Sequence, residues 1–420
     1  MSGAAGAARP TGARDGASPP STAGPTLAIN AQRLLGPRAG VGRYLSELLR
    51  RWAAAELPFA QVTLYAPAPI PRDALPAEHS YRLAVVPGRG PAGAWEHIAL
   101  PRAAAGASVL FCPSYVVPPA WRGAAVVTIH DVMQEVVAGT FPWYSRAYRA
   151  RLYRLAARRA SVVLTDSESS KRDIERIYGV PGPRVRAVAL GVDPAFATAT
   201  EEDERRVRER LGLVGPLVLF VGKFSRRRNL PTLVRAFARA QRGGACDATL
   251  VLVGSDHLGL ALDRLGEELD LGSALRLPGH VADEDLPALY RAATVFAYPS
   301  DYEGFGLPPL EAMAAGTPVL ALDSSSVAEV VGDAGVLLPA ATEEGLAHAL
   351  ERLLCDPALR ERYAREGSER AKRYTWEATA GETLAALCEA AGLQPLALAE
   401  GGPLGGDPTS GEPAGVDASP

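Results

Sequence analysis

The feature that most constrains this chain is a strand-and-helix alternation that runs its course and then starts again. Short apolar segments recur at 26–31, 62–66, 82–86, 108–112, 125–130, 161–165 and 185–190, several of them separated by helical patterns. The first helix carries Val41, Tyr44, Leu45, Leu48, Leu49 and Trp52 on one face, the spacing of an amphipathic helix laid on a sheet. Val126-Val-Thr-Ile reads as a buried parallel strand. After a polar stretch at 196–210 the alternation restarts with Leu217-Val-Leu-Phe-Val. Helix 230–241, strand 249–253, helix 259–269, strand 274–277, helix 284–292 and strand 294–298 follow. Beyond Pro299 come helix 308–315, strands 317–321 and 335–338, and helices 343–354, 357–372 and 375–391. Two such series predict an α/β protein of two doubly wound, Rossmann-like domains. Ligands of these sheets bind beyond the carboxyl ends of the strands, so two facing domains place the site in the cleft between them.

The length, 420 residues, suits two domains. The expected division is a tail at 1–25, a first domain at 26–205, a second at 206–375, a terminal helix at 376–395 that packs back on the first domain, and a tail at 396–420. Both tails are rich in Ala, Gly, Pro, Ser and Thr and hold too little apolar surface to offset their ordering entropy. The first has no apolar core and does not read as a secretory signal. A net charge of -3 gives no support for a nucleic-acid partner. Cys112, Cys246, Cys355 and Cys388 are scattered, which argues against a disulfide scaffold or zinc site and suits a reducing cytoplasm. No apolar run approaches the roughly 20 residues of a membrane span.

The densest chemistry lies in Tyr298-Pro-Ser-Asp-Tyr-Glu303-Gly304-Phe305-Gly306-Leu307-Pro-Pro-Leu-Glu311. It reads as strand, glycine loop and helix. Pro308 and Pro309 suit a first helical turn, where backbone N–H groups have no intrahelical partner. The N–H groups of Gly306 and Leu307 then face outward at the positive end of the helix dipole, an anion site suited to a diphosphate. Glu303 and Glu311, on either side of that site, are acceptors for sugar hydroxyls.

Glu303 and Glu311, with seven residues between them, resemble the paired-glutamate signature of retaining nucleotide-sugar glycosyltransferases of the GT-B fold, glycosyltransferase family 4. The likeness runs over nearly all of 26–392. Gly36-Pro-Arg-Ala-Gly40-Val-Gly42-Arg-Tyr44 is similar to the glycine loop of the subgroup containing bacterial O-antigen mannosyltransferases. Thr128-Ile-His130-Asp131 is similar to its central strand end, Phe220-Val-Gly-Lys223-Phe-Ser-Arg-Arg-Arg228-Asn-Leu230 to its diphosphate loop, and Leu277-Pro-Gly279-His280-Val281 to its base-binding segment. The resemblance implies that His130 bonds the donor sugar or the transferring centre and that Glu303 holds the sugar. It implies that Glu311 holds the ribose, that Lys223 and Arg228 reach the diphosphate, and that Gly40 and Gly42 let the first loop lie against phosphate or acceptor. The family usually shows Arg before Lys; here the order is Lys223 and then Arg228, which keeps charge but exchanges a point donor for a planar fork. Arg226 and Arg227 are alternatives. The implied reaction moves a hexose, first mannose from GDP-mannose, to a glycan or lipid-linked acceptor in surface polysaccharide or glycolipid synthesis, with no metal and no cofactor beyond the donor. UDP-glucose or another hexose donor is the alternative.

Other readings stay open. Glu303 and Glu311 as a hydrolase carboxylate pair leave the anion loop and the cations unexplained. A nicotinamide oxidoreductase lacks its fingerprint, since Gly40-Val-Gly42 has no third glycine. A catalytically silent relative serving as an assembly subunit is the third. Asp283-Glu-Asp285 looks like a metal motif but opens a helix, where acids are expected for dipole reasons. In segment 144–159, Tyr144, Tyr148, Leu152, Leu155 and Ala156 form an apolar stripe among six arginines, at 146, 149, 151, 154, 158 and 159. It is either a surface helix with its stripe in the core or a basic amphipathic helix on an anionic membrane, at the inner face of the plasma membrane.

Overall fold

The computed structural model describes residues 24–36, 40–88, 93–137, 143–244, 247–256 and 258–394. The expected tails, apart from Gly24 and Pro25, lie outside the described residues.

Two parallel sheets form the frame. The first comprises β1 (Thr26–Asn30), β2 (Gln61–Ala66), β3 (Arg82–Val85), β4 (Val109–Cys112), β5 (Ala124–Thr128), β6 (Val162–Thr165) and β7 (Val185–Ala187). Its spatial order is β3-β2-β1-β4-β5-β6-β7. The second comprises β8 (Leu217–Val221), β9 (Thr249–Val253), β10 (Leu275–Gly279), β11 (Val295–Tyr298), β12 (Val319–Leu322) and β13 (Val336–Leu338), in the order β10-β9-β8-β11-β12-β13. The central strands are apolar on both faces because helices cover both: Leu27, Ala28 and Ile29 of β1 and all of β11 are buried. Ile29 pairs in register with Leu64 on one side and Phe111 on the other. In each sheet the chain order reverses once, between β1 and β4 and between β8 and β11. Those two reversals are where a doubly wound sheet opens a ligand crevice.

Helix Val41–Ala53 buries Tyr44, Leu45, Leu48, Leu49 and Trp52, the face its spacing predicts. Trp52 also fastens the far end of the chain: its Nε1 donates to the carbonyl of Ala380 at 3.0 Å. Ala380 belongs to helix Trp376–Ala390, whose Thr379 hydroxyl donates to the carbonyl of Ala189 at 2.7 Å. The last helix thus lies against the first domain.

Three local expectations change. The polar stretch 196–210 contains a helix, Glu201–Leu211, started by a Thr200–Asp203 capping box and stopped by left-handed Gly212. Between β12 and β13 a further helix, Ser325–Val331, buries Val327, Val330 and Val331. The strand expected over 185–190 ends at Ala187, where the chain leaves the sheet edge toward helix Trp376–Ala390.

At that crossing, a Cβ on Gly191 would overlap the backbone of Thr375 and Trp376. Gly191→Ala should therefore cost about 1–3 kcal/mol, read as a lowered midpoint of thermal unfolding. An unchanged midpoint would mean that this junction gives way freely.

Candidate active site

The site grows from the two chain reversals. At the second, β11 runs out through Tyr298 into the loop that carries Glu303. The Glu303 side chain is about nine-tenths buried, with 11% exposed. Its Oε1 accepts from the hydroxyls of Tyr298 and Ser300, each at 2.8 Å, from Nε of Arg228 at 3.1 Å, and from Arg227. Burial alone would push this carboxyl up; the Arg228 and Arg227 charges outweigh it and hold it below its ordinary value. Among the described residues no hydrogen bond reaches Oε2 of Glu303.

Helix Leu307–Ala314 begins immediately after this loop, with prolines in its first turn and Gly306 before it at φ 110°, a left-handed conformation that glycine accepts without strain. Among the described residues no acceptor answers the N–H groups of Gly306 and Leu307. One turn into the helix, buried Glu311 accepts from Tyr290 at 3.1 Å and from Arg43 at 3.0 Å. Arg43 belongs to the first domain, so this ion pair crosses the cleft; it also lies 3.7 Å from Asp193. Burial raises the Glu311 carboxyl above its ordinary value despite Arg43. The Phe305 ring turns away, edge-on to Tyr374.

The carboxyl end of β8 supplies the cations, and they divide their work. Arg228 is buried, its guanidinium over the Tyr298 ring, with Nη1 donating to the carbonyl of Lys223 at 2.8 Å. A side chain on Gly222 would collide with that guanidinium. The Lys223 side chain is exposed. Gly279 is joined to the same ledge, its carbonyl accepting from Gly254 at 2.9 Å; Val281 is buried and His280 exposed.

Across the cleft, two residues past β5, His130 is buried with both ring nitrogens engaged. Nδ1 lies 2.8 Å from Asp166, which follows β6, and Nε2 lies 3.0 Å from the carbonyl of Pro113. Burial opposes the charged ring, but Asp166 outweighs it and the pKa is raised. Both partners are ordinarily hydrogen-bond acceptors, an arrangement that favours the doubly protonated ring. The expectation that this ring itself bonds the donor sugar therefore meets an obstacle: it must first leave one of these partners. What His130 presents to the second domain is its carbonyl, which a Cβ on Gly304 would approach to 2.7 Å. The Gly304 carbonyl in turn accepts from Ser167 at 2.8 Å and Ser170 at 3.1 Å, and Tyr302 donates to Asp173 at 3.2 Å.

Gly40 stands before helix Val41–Ala53 at φ 57°, and Gly42 is buried in its first turn; residues 37–39 of this loop lie outside the described residues. Asp283–Asp285 forms a short turn in which Asp285 pairs with Arg210 at 2.6 Å, a structural contact. Among the described residues no cluster of three or more His, Cys, Asp or Glu side chains is placed to hold a metal. Helix Trp143–Arg159 is packed through Ala156 and Ala157, while Trp143, Tyr144 and Tyr148 are 79, 63 and 62% exposed. The reading that buried its tyrosine stripe is corrected: Arg154 and Arg158 bond the carbonyls of Ile177 and Tyr178 and hold the helix by its other edge. Arg43, Asp166 and Tyr290 escape sequence reasoning because only tertiary contacts bring them to the glutamates and histidine. Tyr298 and Ser300, so near Glu303 in sequence, carried a usable signal as donors flanking a carboxylate.

A folded pKa held below the unfolded one contributes stability above the unfolded value, and that contribution is lost as pH falls through the folded value. Glu303→Gln leaves two buried guanidiniums unpaired and should cost about 3–5 kcal/mol at pH 7 in urea unfolding. The gap between variant and wild type should close only below the ordinary carboxylate range. A gap independent of pH would contradict the ion-pair account.

The family model described as Glycosyl transferases group 1 matches residues 201–370, and the model for Glycosyltransferase Family 4 matches residues 38–196. The O-antigen chain mannosyltransferase B of Escherichia coli is 30% identical over 264 residues, 62% of this chain and 69% of that protein. The alpha-D-kanosaminyltransferase of Streptomyces kanamyceticus is 31% identical over 57% of this chain and 63% of its own length. Among solved structures, Anabaena HepE in complex with UDP and glucose superposes with a TM-score of 0.69 at 19% identity, covering 87% of this chain and 99% of that one. Two facing Rossmann-like domains, the paired glutamates at their cleft and these matches together place the chain in glycosyltransferase family 4, on the GT-B fold.

Proposed function

We propose that this protein transfers a hexose from a nucleotide diphosphate donor to an acceptor hydroxyl with retention of anomeric configuration and without a metal. The observation that carries the reading is the gathering of Glu303, Glu311 and the helix-start amides of Gly306 and Leu307, unanswered among the described residues, beside the strand end that carries exposed Lys223. Oε1 of Glu303 is saturated by four donors, so Oε2 is the oxygen left for a sugar hydroxyl. Glu311 takes the ribose hydroxyls, and the ledge of Gly279, His280 and Val281 brackets the base. Negative charge grows on the leaving diphosphate as the glycosidic bond breaks. Lys223, the remaining amino group of Arg228 and the amides at 306 and 307 stabilise it, a contribution worth most where water is excluded. The leaving phosphate then takes the proton of the acceptor hydroxyl, which attacks from the same face. Gly304 and Arg43 bridge the two domains, and closure over the donor completes the site.

GDP-mannose is the first donor to test, on the likeness to an O-antigen mannosyltransferase; UDP-glucose is the second. With radiolabelled donors and a membrane extract as acceptor source, one donor should give labelled glycan or glycolipid, with the product's anomeric signal matching the donor's. Glu303→Ala should lower the rate about a hundred- to a thousandfold, and EDTA should leave it unchanged. Inverted product, or activity abolished by EDTA and restored by a divalent ion, would overturn the mechanism. No turnover with any donor would favour a silent subunit.

Helix Trp143–Arg159 is the proposed contact with a membrane surface, because its exposed aromatic edge adjoins its arginines. No described helix is long and apolar enough to cross a bilayer. The wild type should sediment with phosphatidylglycerol vesicles and not with phosphatidylcholine vesicles, and a Trp143→Ser, Tyr144→Ser, Tyr148→Ser variant should stay in the supernatant. Equal sedimentation of variant and wild type would refute the contact.

A further inference from the structure

Glu311 is the carboxylate assigned to the ribose, yet only 9% of its side chain is open to solvent. Its two oxygens are covered differently. Oε2 accepts from the Tyr290 hydroxyl at 3.1 Å, and the Tyr290 ring is wholly buried, packed against Phe196 and Phe296. Oε1 accepts from Arg43 at 3.0 Å, and Arg43 reaches in from the other side of the cleft. A ligand that approaches Glu311 through the cleft therefore meets the Arg43 guanidinium first.

Arg43 differs from Tyr290 in the properties that decide which cover moves. Its side chain is 29% exposed, and it stands in the first turn of helix Val41–Ala53. It also has a second acid within reach. Nη1 is on Glu311, while Nη2 lies 3.7 Å from Oδ2 of Asp193. Asp193 is fixed by its other oxygen, since Oδ1 accepts from the Ala195 backbone at 2.9 Å. A guanidinium carries separate amino groups on one planar fork, so it can leave one acid and keep the other. The three charges share one field: Arg43 pulls the Glu311 carboxyl down, and Asp193 pushes it up. Two acids thus compete for one cation, and movement of Arg43 toward Asp193 uncovers Glu311.

The exchange is chemically balanced. Ion pairs partly open to water are modest in strength. The neighbouring hydroxyls of a ribose donate to a carboxylate as Nη1 does, and can take its place. We propose that Arg43 is an autoinhibitory latch on the donor pocket: it covers Glu311 from across the cleft, and the ribose hydroxyls of a nucleoside diphosphate displace it onto Asp193. The affinity of the wild type is then the affinity of the uncovered pocket reduced by the fraction of molecules in which the latch is open. The proposal rests on the reading of Glu311 as the ribose ligand and adds the residue that competes with the donor for it.

The test is titration calorimetry of GDP and UDP into the full chain, comparing the wild type with Arg43→Ala, Asp193→Asn, Glu311→Ala and the double variant Arg43→Ala, Glu311→Ala. Arg43→Ala should tighten nucleotide binding about five- to tenfold, the worth of a charge-assisted hydrogen bond partly open to water. Asp193→Asn keeps an acceptor for Ala195 but removes the charge that draws Arg43 away, and should weaken binding about two- to fivefold. A merely structural role predicts a loss in both variants, whereas the latch predicts opposite signs. In the Glu311→Ala background, Arg43→Ala should change nothing, because the latch acts only through that carboxylate. Weaker binding by Arg43→Ala would make Arg43 a donor ligand and overturn the latch. Unchanged binding, or a gain that persists without Glu311, would also overturn it, and the donor reading would stand in each case. Should Arg43→Ala fail to fold, Asp193→Asn decides alone: unchanged or tighter binding sinks the latch. Binding by Arg43→Ala where the wild type shows none would support it. If neither protein binds a nucleotide, the transferase reading falls first and the latch with it.

Discussion

A single buried carboxylate organises the second domain's half of the cleft. Glu303 draws the loop after β8, through Arg227 and Arg228, onto the loop after β11, through Tyr298 and Ser300. Without that carboxylate two guanidiniums would be stranded beside aromatic rings at the edge of the sheet. With it, they become the frame that fixes Gly222, Lys223 and the start of helix Leu307–Ala314. The desolvation cost of such a pair is large, which is why breaking it is worse than never having built it. It lies beyond the carboxyl ends of the strands, where ligands of doubly wound sheets bind, and not in the middle of the core.

The two domains contribute by the same rule. Each sheet reverses its strand order once, and each reversal carries polar side chains that no packing argument requires. The second domain's crevice is rich in glycine, cations and helix-start amides, which suits phosphate. Gly304 is a close contact between the two domains: a side chain there would meet the carbonyl of His130. Arg43 binds Glu311 from the opposite domain, so contact between the two domains runs through that carboxylate.

Much of this was legible in the sequence, for physical reasons. Strands buried on both faces must be apolar throughout, so β1, β5, β8 and β11 stand out. The Gly306-Leu307-Pro308-Pro309 start of a helix is nearly as plain, since proline can be placed there at little cost. Local polarity misled where tertiary contacts decided the outcome. Helix Ser325–Val331 hid behind three serines, and the tyrosines of helix Trp143–Arg159 looked like core although alanines make its contact. The partners of the functional groups, Arg43 on Glu311 and Asp166 on His130, are far apart in sequence and became visible only through the fold. Arg228 was readable as a cation of the diphosphate loop, but not as the buried brace of Glu303.

The central claim is that this cleft receives a nucleoside diphosphate with Glu311 on its ribose. Isothermal titration of GDP, UDP and ADP into the wild type and into Glu311→Ala tests it most directly. The account predicts saturable binding of one nucleotide to the wild type and a loss of about tenfold or more in the variant, the cost of a hydrogen bond to a charged group. Binding of none of the three, or equal affinity in both proteins, would contradict it.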